Sequence, residues 1–131
     1  MIDDLNFPLL SVLLFHSIVF TQSGIDKILN WKGNYAFTKE TLSNKFSSPI
    51  VNLALFIVLI LEFIGGVFSI IGCFYVFLDN SCLLFSQIGI SLCTLALLIL
   101  LFGQRVSQNY VDAKSIAIYF IVSLIGMTLV F

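Results

Sequence analysis

Residues 49–78 read PIVNLALFIVLILEFIGGVFSIIGCFYVFL, thirty positions with a single charge, Glu62. A helix rising about 1.5 Å per residue needs about 20 residues to pass roughly 30 Å of hydrocarbon. This stretch is therefore long enough to cross a bilayer with several residues to spare, and it is expected to tilt or to protrude. Three neighbours extend the pattern. Residues 7–29 begin apolar and turn polar towards their far end, 82–103 carry no charge, and 113–131 carry only Lys114 at their start. The runs are continuous rather than alternating, and hydrocarbon demands that every backbone polar group be paired within its own segment, so helices are expected and a β-barrel is not. The fold class is an all-α, polytopic membrane protein: one domain over residues 1–131, a bundle of four transmembrane helices.

Composition agrees. Of the 131 residues 60% are apolar and 10% charged, against about 25% charged in soluble proteins. A water-soluble globule this small has too little interior to hide so much Phe, Leu and Ile, so membrane lipid must be its solvent. The net charge of −1 and the lack of a basic run exclude a nucleic-acid partner, whose phosphates need Lys and Arg.

Punctuation supports the four crossings. Pro49 stands where a first helical turn tolerates its missing N–H. Leu78-Asp79-Asn80-Ser81 reads as a tight turn in which Ser81 can cap the third crossing, making crossings two and three an antiparallel hairpin. Lys27, Lys32, Lys39, Lys45, Arg105 and Lys114 all fall at the connections between crossings one and two and between three and four. Basic connections stay in the cytoplasm, so both termini are expected outside. The acidic start Met-Ile-Asp-Asp argues against a cleaved signal. Between crossings one and two, Asn34–Ser48 is too polar to cross. A short interfacial helix is expected there, with Tyr35, Leu42 and Phe46 on one face and Lys39 and Lys45 reaching water; an irregular loop is the alternative. Trp31 beside Lys32 has the character of an interface anchor.

A charge at bilayer depth costs several kcal/mol unless it faces the bundle and finds a partner. Glu62 shares a helical face with Gly65, Ser69 and Cys73, small residues that let another helix come close. His16, Ser23 and Lys27 form a strip on the first crossing, which makes Lys27 the natural partner of Glu62. One reading makes Glu62, Lys27 and His16 an intramembrane ligand or proton site. The other makes Glu62 and Lys27 an ion pair that fixes helix order and binds nothing, with His16 an interior hydrogen-bonded histidine. Cys73 and Cys82 flank the 79–81 turn on the side expected to be oxidising, so they are candidate redox thiols. Against that, their spacing is neither C-x-x-C nor a metal pattern, and a buried cysteine commonly behaves as a small hydrophobe, as is expected of Cys93. No metal-ligand cluster, phosphate loop or nucleophile elbow is present, so catalysis by the chain alone has little support.

The segments Ser23-Gly24-Ile25-Asp26-Lys27-Ile28, Glu62 to Gly66, Gly103-Gln104-Arg105 and Asn109-Tyr110-Val111-Asp112-Ala113-Lys114 resemble the DoxX family of small four-helix bacterial membrane proteins, and the likeness extends over nearly the whole chain. Its Gly-x-x-Lys maps onto Gly24 and Lys27, and its intramembrane acid onto Glu62. The family's usual Asp-Tyr stands here as Asn109-Tyr110. The resemblance implies a bacterial inner-membrane protein tied to redox or thiol systems. The expected role is an accessory subunit that binds other membrane subunits, forms a homo-oligomer, or holds a lipid-like molecule such as a quinone. The alternatives are an active quinone/thiol redox component using Cys73 and Cys82, or a proton-coupled transporter subunit using Glu62 and His16.

Overall fold

The computed structural model describes residues 5–42, 45–78 and 82–131. Five helices follow in order: α1 (Phe7–Leu29), α2 (Trp31–Thr41), α3 (Ser48–Phe77), α4 (Leu84–Val106) and α5 (Tyr110–Val130). All but α2 are long and apolar enough to cross a membrane, and the chain is a multi-pass membrane protein. The 30 residues of α3 make a rod of about 45 Å, which exceeds the hydrocarbon thickness as the sequence requires.

Local chemistry sets the boundaries. Asn6 starts α1 by accepting the backbone N–H of Leu9, with Pro8 in the first turn. Pro49 occupies the corresponding place in α3. Asn30 ends α1 and begins α2, so the interfacial helix opens at Trp31, three residues before the expected Asn34. It closes at Thr41, which leaves Phe46 outside the helical face that Tyr35 and Leu42 were expected to share with it. At the other connection, α4 continues past Gly103 to Val106, and Gln108 takes the left-handed backbone (φ 60°) that reverses the chain. Asn109 then caps α5: its side chain accepts the N–H of Asp112 and donates to that residue's carboxylate at 2.7 Å. An aspartate at 109 would set two carboxylates against each other, so Asn suits a chain with Asp112. The expected cap at Ser81 lies outside the described residues.

The four crossings form a ring in the order α1, α3, α4, α5, each antiparallel to the next, with α2 lying beside α3 and α1. Two adjacent glycines let α3 accept a helix on each side. A Cβ on Gly65 would meet Cys93 Sγ of α4 at 2.7 Å, and one on Gly66 would meet the Thr21 backbone nitrogen of α1 at 2.7 Å. A Cβ on Gly72 would likewise meet Ser86, and one on Gly89 would meet Ser69. Gly65, Ser69 and Gly72 therefore receive α4, whereas Cys73, expected on one strip with Gly65 and Ser69, faces the groove between α1 and α3. Successive helical residues point about 100° apart, which divides the Gly-Gly pair between two neighbours. One core cluster (Leu9, Val12, Leu13, Val76, Ile90, Val130) fills the end holding the described terminal residues. A second (Phe20, Cys93, Leu97) fills the middle. Lys32, Lys39, Lys45, Arg105 and Lys114 lie at the opposite end, where α2 and both longer connections sit, and Lys27 stands in the last turn of α1 on the way to it.

Candidate functional site: a buried ion pair between α1 and α3

Ser23 and Lys27 stand four residues apart on α1, one above the other on the face turned to α3. Glu62 lies at the middle of α3. The Lys27 ammonium donates to Glu62 Oε2 at 2.7 Å and to Ser23 Oγ at 2.7 Å, while the Ser23 hydroxyl donates to the same Oε2 at 2.9 Å. Both ionic side chains are nearly sealed from the surroundings, 11% and 3% exposed. Gly24 makes the approach feasible, since a Cβ there would lie 3.0 Å from the Phe63 Cα. Chemically the triangle is closed. One positive and one negative charge cancel at contact distance, and a hydroxyl adds a second donor to the carboxylate, so the desolvation cost of each ion is offset locally. Such a group fixes two helices in register, with no net charge to draw in an ion.

His16 does not join this group. It stands seven residues, or about 10 Å of helix, from Ser23 and is fully buried. Its Nδ1 lies 2.8 Å from the Val12 carbonyl and its Nε2 2.8 Å from Ser123 Oγ of α5. The carbonyl can only accept, so Nδ1 donates to it; in the neutral ring Nε2 accepts from the serine hydroxyl. The ring stacks on Phe20 with centroids 5.3 Å apart. A wheel projection gives direction but no height, which is why the sequence grouped His16 with Lys27. Ser123 escaped notice; its signal was a small hydroxyl three residues before Gly126 in an otherwise apolar run.

The cysteines are dispersed. Cys73 is half-buried in an apolar groove between α1 and α3, its sulfur 3.8 Å from Ser17 Oγ. Cys82 is exposed just before α4, and Cys93 is fully buried against Gly65. No disulfide joins them, and among the described residues no three His, Cys, Asp or Glu side chains gather as metal ligands. A cavity of about 100 Å³ lies where α2 crosses α3 and α4, lined by Phe37, Leu42, Leu55, Val58, Leu100 and Gln104, among others. Gln104 Oε1 is buried there without a hydrogen-bond partner among the described residues. Comparison of the chain with protein-family models, curated proteins and solved structures gives no match.

Proposed function

We propose that this chain is an accessory, partner-binding subunit of a redox-associated system in a bacterial inner membrane, with both termini outside, and that it performs no catalysis alone. The observation that carries the non-catalytic part is the closed Lys27–Ser23–Glu62 triangle: its most conspicuous polar group is compensated from within and serves to brace α1 against α3. The redox association is supported by the DoxX resemblance, and the orientation by the gathering of the basic residues at one end. The test is affinity purification of the intact chain from its own membranes in mild detergent. Flavin-, haem- or quinone-bearing membrane subunits are expected in fixed proportion, with assembly and activity of that complex unchanged in a Cys73→Ala/Cys82→Ala variant. Recovery of the chain without such subunits overturns the subunit reading. Loss of quinone-dependent thiol oxidation in the double variant replaces it with an active redox component.

A further inference from the structure

The lipid-facing side of α1 carries a polar residue where none is needed for folding. Ile18, Gln22, Ile25 and Leu29 follow at spacings of four, three and four, the a/d seam of a coiled coil. The three aliphatic members are 65%, 43% and 81% exposed, and Gln22 is exposed among them. Its carboxamide makes no hydrogen bond among the described residues. Depth follows from packing. Thr21 lies level with Gly66 and Gly24 with Phe63, next to the middle of the 30-residue α3. His16, six residues back, lies level with Ser123 near the middle of α5. Gln22 lies four residues, about 6 Å, past Ile18 at the midpoint of α1, so its carboxamide faces acyl chains within the crossing, where an amide lacking partners is costly.

The geometry points to a second copy of this chain as the occupant of that face, joined in parallel about a two-fold axis along the membrane normal through Gln22. Two copies inserted the same way can meet only with α1 parallel to its mate, and a two-fold axis brings each residue of the seam near its own equivalent. A carboxamide is both donor and acceptor, so Gln22 satisfies itself across such an axis with two N–H···O bonds. A single polar residue at an a position of an aliphatic seam is the device that fixes pairing and register in parallel dimers. Thr21 and Asp26 flank the seam at g and e, positions that face each other across a parallel pair. The Thr21 hydroxyl itself is buried against Gly66 of α3 and is not offered to the seam. Asp26 already accepts from Asn34 at 3.1 Å through one oxygen. Shallow grooves along this face are lined by Ile18, Thr21, Gln22, Ile25 and Asp26. The dimer is independent of the redox assignment, and either can fail without the other.

The test is cross-linking in membranes. In the full-length chain with Cys73, Cys82 and Cys93 replaced by Ala, single cysteines at Ile18, Gln22 or Ile25 should give homodimers on mild oxidation. Cysteines at the equally exposed Ile118 and Ile121 of α5 should not. In the otherwise unaltered chain, Gln22→Leu should weaken dimerisation roughly tenfold, read by energy transfer between labelled copies in vesicles, and Gln22→Asn should retain it. A lipid-facing leucine leaves the monomer fold intact, so unchanged thermal stability of Gln22→Leu separates loss of pairing from loss of folding. The inference is overturned by the absence of α1 cross-links, by cross-links from α1 to another protein alone, or by a Gln22→Leu dimer as strong as the original.

Discussion

At Glu62 the environment leaves one inexpensive arrangement. A carboxylate in the middle of an apolar rod must find a cation or a proton, and Lys27 is held within reach by the same turn of α1 that supplies the Ser23 hydroxyl. Glu62→Gln leaves the ammonium of Lys27 buried without a counter-charge, and breaking one side of such a pair costs about 3–5 kcal/mol. The variant is therefore expected to unfold well below the parent in a detergent melt followed by helical circular dichroism, and Lys27→Met in the same chain should recover part of the loss. An unchanged melting temperature in Glu62→Gln would remove the pair from the account. The contact between Lys27 and Glu62 is legible in the sequence because two charges inside apolar runs exclude most alternatives. His16 is different. An imidazole can be satisfied by any hydroxyl or carbonyl near it, so the sequence does not say that Val12 and Ser123 are its partners.

Among the elements, α3 is the one against which α1, α2 and α4 are set, and Gly65-Gly66 is where it touches two neighbours. Four membrane helices and their approximate limits are legible because a 3.6-residue rod and a 30 Å slab leave few choices. Which helix meets which side of α3 is not, because adjacent glycines look alike in a sequence and differ by about 100° in space. The consequence is testable by contrast. Gly66→Val must displace the Thr21 backbone and is expected to abolish the folded bundle, whereas Gly103→Ala meets nothing closer than Leu42 at 3.8 Å and should melt within about 0.5 kcal/mol of the parent. Equal yields of monodisperse protein from the two variants would contradict the packing described. The start of α2 at Trp31 was missed for a similar reason: Asn30 serves as the end of one helix and the beginning of the next, a double role that propensity alone does not reveal.

For the whole molecule the separation of charge is the dominant feature. Lys39 donates to the Phe46 carbonyl and Lys45 to that of Val106, so two of the basic residues also hold the connections of their end together. If that end is cytoplasmic, then with Cys73, Cys82 and Cys93 replaced by Ala a cysteine in place of Lys32 should resist a membrane-impermeant maleimide in intact cells and react after permeabilisation, while one in place of Phe131 should react in both. The reverse pattern would invert the proposed orientation.

The four crossings are unequally fastened, and this governs how the protein would yield to force. The last helix is tied to the rest through the imidazole–hydroxyl contact, an edge contact of Tyr119 with Phe15, a carboxamide of Gln87 on the Val130 carbonyl at 2.7 Å and apolar packing, with no ionic fastening to the first helix or the third among the described residues. Drawn by a cantilever from Phe131, the molecule would shed that segment first at a low rupture force. Drawn from the amino-terminal side, it would hold until the Lys27 clasp opened, and then give way in one large step.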